Sequence, residues 1–117
     1  MSVPGRRAER LAHQLRNEIA ELMERGLKDP RIGFATVTRV ELTPDLRHAS
    51  VRVSVMGSDE AQHASLAGLS SASGYLRHEI AQRLRLRYAP ELTFVLDHGA
   101  EDSERIETLL QKLKDER

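Results

Sequence analysis

The sequence predicts an α+β domain with the element order α-β-β-α-kink-α-β-α. Three observations carry this. Apolar residues from Ala8 to Met23 recur at i, i+3, i+4 and i+7, the period of a helix with one buried stripe. Residues 36–42 and 49–55 are rich in β-branched side chains, and the second stretch alternates cleanly between apolar and polar. Ser71-Ala72-Ser73-Gly74 then interrupts a second apolar-periodic run. Ser competes for backbone groups and Gly carries the largest entropy cost in a helix, so such a cluster bends or breaks it.

The first helix is expected over residues 6–28, with Ala8, Leu11, Ala12, Leu15, Ile19, Leu22 and Met23 inward. Gly26 weakens its last turn, and Asp29-Pro30 stops it because a residue before Pro is pushed out of the α region. Two strands follow, joined by the turn-rich loop 43–48. Val51, Val53 and Val55 of the second face the core, while Ser50, Arg52 and Ser54 face out. Ser58 or Asp59 caps the next helix, which runs to about Ser71 and buries Leu66 and Leu69. Past the kink, Leu76, Ile80 and Leu84 form the stripe of a third helix ending near Arg85 or Leu86, with Arg85 and Arg87 leaving on one side of an extended exit. Residues 92–96 form the third strand, and a last helix with the stripe Ile106, Leu109, Leu110 and Leu113 is capped by Asp102 or Ser103. The two-helix crossover lets the second and third strands lie parallel in a mixed sheet of order 1-2-3, one face covered by helices.

At 117 residues the chain is one domain, with short flexible ends at 1–5 and 114–117. Aromatic residues make up 3%, so aliphatic side chains must fill the core. The absence of Cys excludes disulfides, thiolate metal sites and Cys nucleophiles. No apolar run reaches a membrane span, and Met1 to Arg7 lack the apolar core of a signal peptide. A cytoplasmic protein with no membrane partner is the expectation.

Catalysis finds little support. His13, His48, His63, His78 and His98 fall in separate elements, with no carboxylate at metal-ligand spacing. No P-loop or nucleophile elbow is present, and helix capping explains Asp97 and Glu101. No metal, cofactor or catalytic residue is assigned. Phosphate binding is better supported. Eighteen basic and eighteen acidic residues cancel over the chain, but not locally. Arg77, Arg83, Arg85 and Arg87 stand against Glu79 alone, and Arg6, Arg7, Arg10 and Arg16 against Glu9, whereas 101–117 is acidic. Arg77 and Arg83 flank the apolar stripe, so part of this set serves as cover for the core. The free helix N-terminus at Gly74-Tyr75, where no Cβ bars a close approach, adds backbone donors for an anion.

Ser71 to Arg77, Arg85 to Phe94 followed by Asp97, and the run Lys28 to Gly33 followed by Val37 to Leu46 together resemble the ribosome-binding factor A family. The likeness spans about residues 6–113 and several separated motifs agree in order. It implies a type II KH-like fold in which the usual Gly-x-x-Gly loop is replaced by an Ala-x-Gly kink, here Ala72-Ser73-Gly74. It also implies a non-enzymatic assembly factor that binds the free 30S subunit and 16S rRNA, assists 5′-end maturation of that RNA and matters in the cold. A monomer is expected.

The reading is therefore an RNA binder acting by shape and phosphate contact through Ala72, Ser73, Gly74, Arg77, Arg83, Arg85, Arg87, Arg6, Arg7 and Arg10. Stacking of bases is expected to be minor, since only Tyr75, Tyr88, Phe34 and Phe94 are available and Phe94 should be buried. Two rivals stand beside it. One is a helix-turn-helix DNA binder using the kink as its turn. The other is an interaction module docking on a ribosomal protein or GTPase through the open sheet edge.

Overall fold

The computed structural model describes residues 4–97, with α1 side chains from Arg6 onward. The order is α1 (Pro4–Glu24), β1 (Ala35–Leu42), β2 (His48–Val55), α2 (Asp59–Ser71), α3 (Ser73–Arg83) and β3 (Glu91–Leu96). This is the α+β arrangement read from the sequence. The last predicted helix, with Asp102 and the Ile106 stripe, lies outside the described residues.

Helix α1 starts two residues earlier than expected and ends four earlier. Pro4 fits the first turn, where its missing N–H has no partner to lose. Gly26 does more than weaken the end. Its φ is +87°, and its N–H turns back to the Met23 carbonyl at 3.1 Å, so the helix closes there rather than at Asp29-Pro30. Ala8, Ala12, Leu15, Ile19 and Leu22 of the predicted stripe are buried, with Leu15 and Ile19 fully shielded, while Leu11 and Met23 at its margins are only partly covered. Each such side chain contributes roughly 1.5–3 kcal/mol.

The sheet has the order β1-β2-β3, antiparallel then parallel. One irregularity was not read from the sequence. The register shifts between Val37 and Arg39, which leaves Thr38 as an extra residue on β1. Val37 and Val40, three apart, therefore both reach the core. The Thr38 hydroxyl instead donates to Asp97 Oδ2 at 2.6 Å, across β2. Val51, Val53, Val55, Leu92 and Phe94 complete the buried face against α1, α2 and α3, while the other face is largely polar.

Ser58 is the cap of α2, accepting the Ala61 N–H at 3.2 Å. Leu69 is buried and Leu66 only partly so. The break falls at Ala72. Its N–H is shared between the Gly68 and Leu69 carbonyls, and Leu76 resumes the ladder on the Ala72 carbonyl at 2.9 Å. Helix α3 ends at Arg83, short of the predicted Arg85 or Leu86. The reason is a Schellman closure. The Leu86 N–H reaches the Ala81 carbonyl at 2.9 Å and the Arg85 N–H reaches Gln82 at 3.4 Å. Arg85 sits at the left-handed position usually given to Gly, with φ +53°. The exit toward β3 is consequently a tight turn, not an extended segment.

Candidate nucleic-acid interface

The predicted site residues divide into three groups. Arg77, though exposed, and Arg83, partly covered, are held by partners within the protein. Arg77 Nε donates to the Pro90 carbonyl and a terminal nitrogen to the Ala89 carbonyl, both at 3.1 Å. These bonds fix the turn that feeds β3. Arg83 lies 3.2 Å from Glu18 and 3.6 Å from Glu21 of α1, and the Glu18 hydrogen bond holds its pKa above the ordinary value. Those two carboxylates offset its charge, which makes it a weaker candidate for phosphate than an unpaired arginine.

The second group is the kink. Ala72 and Ser73 are partly covered, and Gly74 is exposed. A Cβ on Gly74 would meet nothing within 4 Å, and its φ is not positive, so the close approach inferred from sequence is absent within the chain. The glycine that does need its missing Cβ is Gly68, where one would come 2.6 Å from Ile32 Cγ1 and 3.4 Å from the Asp29 carboxyl. Small residues at Ser65 and Gly68, three apart on α2, were the available signal. They let loop 25–34 pack against the helix. Ser65 Oγ accepts the Gly33 N–H at 2.9 Å and donates to the Arg31 carbonyl at 3.3 Å.

Arg31 locks the same loop from outside. It grips Asp29 through two nitrogens at 2.7 and 3.0 Å and reaches Ser71 Oγ at 3.0 Å. These bonds, with the Arg31 backbone N–H, hold the Asp29 carboxyl down at about 2. A groove of about 470 Å³ remains between Gly26, Leu27, Lys28 and Asp29 on one side and Ser71, Ala72 and Tyr75 on the other. Its one basic side chain without a described partner is Lys28.

The third group lies at the opposite end. Gly26–Asp29 border the start of α3, while Glu18 and Glu21 meet its last turn, so α1 and α3 run antiparallel. Helix α3 is 11 residues long, which puts Arg85 about 16 Å from the kink. The N-terminal half of α1 lines a groove with Leu42 and Pro44, next to the β1–β2 turn. Arg6, Arg7 and Arg10 therefore share the end of the molecule that carries Arg85 and Arg87. None of these five side chains has an ion pair among the described residues, and all are exposed.

Arg47 joins them and was missed by sequence reasoning. It sits in the β1–β2 turn, exposed, and its carbonyl accepts the Glu91 N–H at 2.8 Å just past Tyr88. A parallel β2–β3 ladder was predicted, and it requires the start of β2 to lie beside the start of β3. Following that through would have found Arg47. The acids at this end are partly occupied: Asp45 is held by Thr43 and the Arg47 N–H, and Glu91 lies 3.4 Å from His48. The site thus presents a surplus of free guanidinium groups, which suits phosphates. Among the described residues no cluster of His, Asp or Glu is placed to hold a metal.

Comparison with known proteins agrees with the fold. The sequence model described as ribosome-binding factor A matches residues 7–110. The ribosome-binding factor A of Thermomicrobium roseum is 50% identical over 115 residues, covering 98% of this chain and 89% of its own. The crystal structure of ribosome-binding factor A from Thermus thermophilus superposes with a TM-score of 0.70 at 31% identity, over 80% of this chain and 98% of that one. A homology model of the Thermus thermophilus factor, as fitted into a cryo-EM map of its complex with 30S, gives a TM-score of 0.62 at 35% identity, over 74% of this chain and 90% of that one.

Proposed function

The chain belongs to the ribosome-binding factor A family, and from that premise we propose that it is a non-enzymatic assembly factor for the small ribosomal subunit. It binds the free 30S particle as a cytoplasmic monomer, contacts 16S rRNA and holds it in an arrangement that favours late maturation, including trimming of the 5′ end. That role matters most at low temperature, when misfolded RNA is slowest to rearrange. The observation that carries the reading is the grouping of Arg6, Arg7, Arg10, Arg47, Arg85 and Arg87 at one end of the fold, all exposed and with no side-chain ion pair among the described residues. The Thermus relative fitted into a 30S map supports the identity of the particle. The kink, with Lys28 at its groove, offers a second contact of weaker charge.

Cosedimentation with 30S, 50S and 70S particles tests this. Pelleting with 30S alone is the expected result, and equal pelleting with all three would refute it. One observation favours a second reading, docking on a protein. Phe34 and Met56 are 75% and 72% exposed and are joined by a backbone hydrogen bond at 3.1 Å, forming an apolar pair at the kink end. Retained binding to protein-free 16S rRNA decides for the RNA reading.

A further inference from the structure

Tyr88 is 80% exposed, the most exposed of the large apolar side chains described. The Arg87 guanidinium lies 5.8 Å from its ring centroid, a cation–π distance. The turn that presents both is held from several sides. The Schellman bonds fix Arg85 and Leu86, Arg77 clamps the Ala89 and Pro90 carbonyls, Pro90 is buried, and Glu91 is bonded to Arg47. Arg85 adopts a left-handed conformation that side chains avoid, yet its guanidinium has no partner among the described residues. Such strain belongs where a side chain must be aimed.

The other aromatics do not compete. Phe94 is buried, Tyr75 opens α3 at the kink, and Phe34 pairs with Met56 at that same end. Tyr88 is thus the one exposed aromatic among the described residues at the arginine end. An aromatic face beside guanidinium groups is how proteins hold an unpaired nucleotide, stacking the base while cations take the flanking phosphates. Duplex RNA keeps its bases stacked on one another and has no use for such a face.

Resting on the 30S reading above, we infer that Tyr88 is a stacking platform for one base of a single-stranded RNA segment, with Arg85, Arg87 and Arg47 holding the phosphates on either side.

The test uses a short single-stranded RNA carrying one 2-aminopurine, whose fluorescence falls on stacking, and an RNA duplex of equal charge. The full chain should quench the single-stranded probe. Tyr88→Phe should retain this. Tyr88→Ala should lose the quenching and bind the probe roughly 5- to 150-fold more weakly, the range for loss of one stacking aromatic, with duplex binding and melting temperature unchanged. Unchanged quenching and affinity in Tyr88→Ala would overturn the inference, as would failure of the unaltered chain to prefer the single strand. Pelleting with 30S in the same buffer separates the two levels. A wild-type chain that pellets while Tyr88→Ala behaves normally on the probe removes the stacking role alone.

Discussion

The Arg83 guanidinium lies 3.2 Å from the Glu18 carboxylate, joining the last turn of α3 to α1 across 65 residues of sequence. Both side chains are about one-quarter exposed, so the pair is only partly screened. Together with the Arg77 clamp on Ala89 and Pro90, it gives two of the predicted phosphate contacts partners within the fold, and we propose that their main role is structural. Arg77→Ala and Arg83→Ala should each lower the melting temperature while leaving rRNA affinity of the folded protein close to wild type. Wild-type melting with lost binding would reassign them.

Gly68 and Gly74 should respond oppositely to Ala. At Gly68 the new Cβ meets Ile32 Cγ1 at 2.6 Å, near the root of a stiff β-branched side chain. Overpacking costs about 1–3 kcal/mol against a helix-propensity gain of about 1, so a net loss near 1 kcal/mol is expected. At Gly74 there is open space, so the propensity gain stands alone and the fold should be as stable or more so. Denaturant melts of both variants check this. Destabilisation at Gly74 would restore the tight kink inferred from sequence.

Asp29 links stability to acid pH. Its carboxyl is held at about 2, below the ordinary 3.8, by the Arg31 side chain and backbone. A carboxylate depressed on folding stabilises the native state above its unfolded pKa, and that contribution is lost as pH falls from about 4 toward 2. Asp29→Asn should therefore melt earlier at neutral pH and show a shallower decline between pH 4 and 2. An acid limb identical to wild type would assign the decline to other groups.

Arg85→Gly should separate stability from binding. Gly takes the left-handed C′ position without the Cβ penalty, worth about 1 kcal/mol. The variant should melt higher yet bind rRNA more weakly, because a free guanidinium is lost. A higher melting point with undiminished binding would show that the strain at Arg85 serves no RNA contact.

Much of this fold was legible because periodicity is a local signal. The α1 stripe, the Val51-Val53-Val55 alternation and the Ser-Ala-Ser-Gly break each declare themselves within a few turns of chain. Helix ends were less so, since they depend on which residue takes a left-handed φ. Gly26 was underrated, and nothing in the sequence marked Arg85 for that conformation. The bulge at Thr38 was invisible for a similar reason: its partner Asp97 is 59 residues away. The arginines were found by composition, but composition cannot tell a free guanidinium from one paired across the fold. Arg77 and Arg83 therefore entered the predicted site, and Arg47 did not.

The central claim is that free arginines at the turn end, rather than the fold they decorate, hold the small subunit. The most direct measurement is 30S cosedimentation of Arg85→Glu/Arg87→Glu, with circular dichroism melts on the same preparation. Each exposed substitution should change stability by no more than about 0.5 kcal/mol, so the melting curve should stay near wild type. Pelleting with 30S should be lost, because each change removes an attraction to phosphate and adds a repulsion. A well-folded double variant that pellets with 30S as wild type does would contradict the account and move the interface to the kink end.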